Sequence, residues 1–113
     1  MTRSWVFTLA AAGTWYNLWY DLITKDPAFL DATFTNAPFI PSQVCELQIQ
    51  SPSTLNPGVV LNVSYDGKKE GGTELTSGVA DLRRSNRNLI GLKQCYIKSD
   101  TAGGIANVVI SAN

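Results

Sequence analysis

The 113-residue chain balances nine Lys and Arg against nine Asp and Glu and contains no histidine. It therefore has no net field to draw it to nucleic acid or an acidic membrane, and it lacks the commonest general base and zinc ligand. Charged residues make up 16% of the chain against 44% hydrophobic, a length and balance that suit one core beneath a largely neutral surface, of the kind that often faces a partner.

At the start, Arg3 precedes the apolar run Trp5–Ala12, the outline of a signal peptide, but the run is short and interrupted by Thr8. A strand over Ser4–Ala11 is expected instead, because Trp5, Phe7 and Leu9 alternate with Val6 and Thr8. Residues 1–4 are expected to be a flexible arm that a neighbour can order. Trp15, Leu18, Trp19, Leu22 and Ile23 follow at helical spacing and predict one helix over Trp15–Ile23. Pro27, Pro38, Pro41, Pro52 and Pro57 leave little room for longer helices. No window approaches the roughly 20 apolar residues that span a bilayer.

Val44–Gln50 is the clearest strand, with Cys45, Leu47 and Ile49 on one face and Glu46, Gln48 and Gln50 on the other. Val59–Tyr65 repeats the alternation and ends at Asp66-Gly67, a type I′ hairpin signal, so a return strand is expected over Lys68–Leu75. Leu89–Ser99 and Ile105–Ser111 read as a second hairpin joined through Gly103-Gly104. Six to eight short strands between turn-rich loops predict a single all-β domain over residues 1–113. An antiparallel β-sandwich is expected, with the jelly roll among its forms.

The chemistry-bearing residues are few. Cys45 and Cys95 form no CxxC; each falls in a predicted strand, where two buried thiols are expected and a disulfide is the alternative if the strands are neighbours. Asp21, Asp26 and Asp31 recur without a calcium-loop pattern, so no metal is expected. Asn62-Val63-Ser64 matches a glycosylation sequon only by composition, and no glycine-rich phosphate motif occurs. Without histidine or a paired acid and base, no catalytic residue and no cofactor are assigned, and the protein is expected not to be an enzyme.

Two clusters remain as candidate interface. Trp15, Tyr16, Trp19 and Tyr20 place four rings within six residues, fit for core packing, a subunit contact or a sugar platform. No basic residue is interleaved with them, so no nucleic acid partner is expected. Arg83, Arg84 and Arg87 are the densest charges, either a solvated face pairing locally with Asp81 or a contact for a carboxylate-lined surface.

The order Cys45-Glu46-Leu47-Gln48-Ile49-Gln50, Asn56-Pro57-Gly58-Val59-Val60, Gly72-Thr73-Glu74-Leu75, Asn88-Leu89-Ile90-Gly91-Leu92, Tyr96-Ile97-Lys98-Ser99-Asp100-Thr101-Ala102 and Val108-Val109-Ile110 resembles small β-sandwich virion proteins of tailed bacteriophages, head-decoration and other capsid-associated proteins among them. The likeness spans roughly residues 43 to 110. It implies a structural protein, soluble when made in the host cytoplasm and then part of the virion. Its partners would be its own copies, as a homo-oligomer, and other virion proteins such as the major capsid protein, with no membrane. The alternative is a carbohydrate-binding or tail-fibre host-recognition module using Trp15 and Trp19, which requires both rings to be exposed and coplanar.

Overall fold

The computed structural model describes residues 2–25, 45–87 and 92–112. Within them run eight strands: β1 (Thr2–Leu9), β2 (Trp15–Asn17), β3 (Cys45–Gln50), β4 (Leu61–Ser64), β5 (Thr73–Leu75), β6 (Ala80–Arg87), β7 (Tyr96–Ser99) and β8 (Gly104–Ala112). A six-residue π-helix, Leu18–Ile23, follows β2. All strand pairs are antiparallel and make two four-stranded sheets, ordered β1-β8-β3-β6 and β2-β7-β4-β5. The expected all-β sandwich architecture is therefore present.

Period-two alternation places the core. In the first sheet Trp5, Phe7 and Leu9, Leu47 and Ile49, and Ala106, Val108 and Ile110 point inward. In the second sheet Leu61, Val63, Leu75 and Ile97 do so, and Leu18, Trp19, Leu22 and Ile23 of the helix join the same cluster. Burying each large side chain of this kind stabilises by about 1.5–3 kcal/mol. Register matches volume across the strands: Phe7 lies opposite Ala106, and Trp5 opposite Val108, which in turn faces Ile49. The Cα radius of gyration, 13.3 Å, is the value expected for a single packed domain of this length, about 13 Å.

The connections run in adjacent pairs between the sheets. Gly13 N donates to Ser99 O (2.8 Å) and Gly103 N to Leu9 O (2.9 Å), which ties the β1–β2 crossing to the β7–β8 crossing. Ser51 N donates to Val79 O (3.0 Å) and Gly78 N to Ser51 O (2.6 Å), which ties the β3–β4 crossing to the β5–β6 crossing. Tyr65, packed against the core, donates its hydroxyl to Asp81 Oδ2 at 2.9 Å and so links the end of β4 to β6 in the other sheet.

Several sequence expectations change. β1 begins at Thr2, so the arm expected over residues 1–4 is already in the sheet from its second residue. Residues 15–17 are strand rather than helix, because their backbone pairs with Tyr96–Lys98. The β7–β8 hairpin does not form: β7 belongs to the second sheet and β8 to the first, and the Asp100–Gly103 loop carries the chain between them. β4 and β5 do pair antiparallel, but not through a type I′ turn at Asp66-Gly67. That turn needs positive φ at two successive residues; Gly67 has φ +80°, while no described non-glycine residue has positive φ. The loop closes later through Gly71 and Gly72, and a Cβ on Gly72 (φ +91°) would overlap the Val63 carbonyl. The sequence pattern does not predict β6, because Leu82–Arg87 shows no apolar alternation; this strand is held by pairing with β3.

Candidate interaction surfaces

The aromatic segment is divided by its backbone. Asn17 ends β2 and caps the helix: its Oδ1 accepts from Trp19 N (3.0 Å) and Tyr20 N (2.8 Å), while its own N–H donates to Asp21 Oδ2 (2.7 Å). This reciprocal arrangement satisfies helix-start donors that otherwise lack partners. Asn17 Nδ2 also donates to Lys93 O (2.8 Å), and Leu18 N to Cys95 O (2.8 Å), so the helix is fastened to the turn before β7. The backbone closes through Thr24 N to Trp19 O at 3.0 Å.

As a result the four rings have different fates. Trp19 is 9% exposed and belongs to the core, because a wide helical turn starting at Asn17 directs it inward with Leu22 and Ile23. The exposed, coplanar pair of Trp15 and Trp19 that the alternative sugar-binding reading requires is therefore not formed. Tyr16 packs against the core, and its hydroxyl accepts from Ala11 N at 3.0 Å. Trp15 is half-buried on the outer face of the second sheet, and Tyr20 is 55% exposed.

Each outward ring meets a lysine from a distant part of the chain. Lys98 Nζ lies 4.8 Å from the Trp15 ring centre, directly across the β2–β7 ladder. Lys69 Nζ, from the β4–β5 loop, lies 5.5 Å from the Tyr96 ring, and Lys93 Nζ lies 5.8 Å from Tyr20. Such contacts stabilise by about 0.5–1 kcal/mol each at exposed sites. The sequence contains no basic residue among Trp15–Tyr20; the fold supplies them, Lys98 through strand pairing and Lys69 and Lys93 from a loop and a turn.

The outer face of the first sheet is different. Its rows read Ser4, Val6 and Thr8 on β1, then Ile105, Asn107, Val109 and Ser111 on β8, then Glu46, Gln48 and Gln50 on β3. Glu46 is the single charged residue among these ten positions, and Val6, on the edge strand β1, is 64% exposed. Asn107, between Val6 and Gln50, has a buried Oδ1 with no hydrogen-bond donor. Arg84 and Arg83 of β6 stand opposite Glu46 and Leu47, and Arg87 opposite Cys45. Their side chains, that of Cys45, and Asp26 and Asp31 lie outside the described residues. Cys95 is fully buried beside the second sheet. No group of three potential metal ligands occurs among the described residues.

One polar cluster is buried. Asn56, fully enclosed, donates through Nδ2 to Ile105 O (2.6 Å) and Ser51 Oγ (2.9 Å) and accepts from Ile105 N (2.8 Å) at Oδ1, while its carbonyl accepts from Ser77 Oγ. The amide thus completes the backbone pairing of Ile105, a structural role that sequence pattern does not announce. Asp100 accepts from Val60 N (3.0 Å) and Thr101 Oγ1 (2.9 Å), and these bonds hold its carboxyl below the ordinary range. Asp66 is lowered in the same way by Ser64 and then by Lys68 N.

No protein-family model, curated protein or solved structure matches this chain. No described helix is long and apolar enough to cross a membrane.

Proposed function

We propose that the protein is a non-enzymatic structural component of a bacteriophage virion, a capsid-decoration or other head-associated subunit that assembles in many copies. The observation that carries this reading is the outer face that β1, β8 and β3 form in the first sheet, nearly uncharged, with Val6 exposed on its edge strand β1. Neutral polar and apolar side chains of this kind suit an interface that dries at its middle and stays wet at its rim. A face of three strands about 26 Å long offers well under the ~800 Å² per partner of a stable pair, so single contacts would be weak and strength would come from repetition.

The strand order supports a jelly roll: first pairs with last, second with second-last, third with sixth and fourth with fifth, as when one long antiparallel hairpin is rolled up. Viral capsid proteins are frequent users of that architecture, a likeness at the level of fold only. The test is co-sedimentation of the purified protein with phage heads lacking it. Saturable binding at a fixed number of copies per particle supports the reading, and a chain that neither self-associates nor binds shells refutes it.

A further inference from the structure

We propose that the β2–β7 seam of the second sheet is a binding site for single-stranded nucleic acid. Three ring and ammonium pairs follow one another along it: Trp15 with Lys98, Tyr96 with Lys69, and Tyr20 with Lys93. Lys98 and Tyr96 lie on one face of β7, and the bonds from Asn17 Nδ2 to Lys93 O and from Leu18 N to Cys95 O fasten the segment bearing Tyr20 to the turn bearing Lys93 just beyond the ladder. Tyr96 and Lys98 are about 7 Å apart, from the rise of a strand, and the third pair lies at the turn before β7. Alternating flat faces and cations match a polymer that alternates bases and phosphates, in which bases stack on rings and phosphates meet ammonium groups.

A base settling on Trp15 would displace Lys98, since stacking is the stronger contact at an exposed site, and the freed ammonium would remain beside the adjoining phosphate. The acidic groups near the seam limit the affinity without blocking it. Asp21 is engaged by Asn17 N; Glu74 is separated from Lys98 by Asn62 across β4; Glu70 shares the loop of Lys69. Folded polyanions without exposed bases would gain only the charge contacts.

Fluorescence anisotropy of a labelled oligothymidylate of about 15 nucleotides, long enough to exceed one site, tests this with the full chain. Saturable binding is expected, with log K falling against log salt at a slope of about −2, three phosphates at roughly 0.7 each. Combining Lys69→Gln, Lys93→Gln and Lys98→Gln should flatten that slope. Trp15→Ala should weaken binding about tenfold at unchanged slope, with Trp15→Phe restoring most of it. Circular dichroism would verify that each variant is folded. No anisotropy change at about 100 μM protein, the weak limit of non-specific affinity, overturns the proposal. So does equal competition by polyglutamate together with indifference to Trp15→Ala, which would mark a merely cationic surface.

Discussion

Asn56 does what two backbone groups of a neighbouring strand would otherwise do, offering one donor and one acceptor to Ile105. Asn56→Ala leaves that N–H and C=O buried without partners, a loss of about 3 kcal/mol, and thermal unfolding should show a midpoint lower by about 10 °C. Gly72→Ala is expected to destabilise for a different reason: positive φ and the Val63 carbonyl both oppose a Cβ. Asp66 and Asp100 have lowered carboxyl pKa values from hydrogen bonds that favour the charged form. Because the folded-state pKa lies below the unfolded value of about 3.8, their contribution is fully present above that value and is lost as pH falls through the folded one. Urea titrations between about pH 5 and 2 should show a shallower acid loss in a variant combining Asp66→Asn with Asp100→Asn.

Among the elements, the helix depends most visibly on one side chain. Asn17 supplies both cap acceptors and the bond to Lys93 O, so Asn17→Ala should cost about 2 kcal/mol, the cap and the buried bond together. The same variant should loosen the turn at Lys93–Cys95, measurable as faster amide exchange of Leu18, whose N–H bonds Cys95 O. β6 is held by β3 alone among the described strands and carries three arginines in its sequence. Charge on an edge strand discourages another chain from adding to the sheet, and this is compatible with self-assembly through faces rather than through that edge.

For the whole molecule, the two outer faces differ in character, one nearly uncharged over β1, β8 and β3, the other carrying lysine-capped rings. If copies assemble through the neutral face, Val6→Lys places a charge on that face without touching the core, since Val6 is 64% exposed. Sedimentation velocity should then show the concentration-dependent association of the natural chain abolished, with thermal stability unchanged within about 0.5 kcal/mol.

Alternation alone established the all-β class and the buried sets Trp5, Phe7, Leu9 and Leu47, Ile49, because the period of a strand fixes which side chains share a face whatever lies across it. Composition alone established the sparse charge. Pairing was beyond local pattern: the β7–β8 segments look like a hairpin, yet each finds its partners in a different sheet. The fate of the aromatic segment was equally undetermined, since helical spacing could not reveal that Tyr96–Lys98 would draw residues 15–17 into a strand and leave Trp19 inside. The lysines over Trp15, Tyr96 and Tyr20 arrive from positions 27 to 83 residues away from those rings, and only the folding of the chain onto itself brings such groups together.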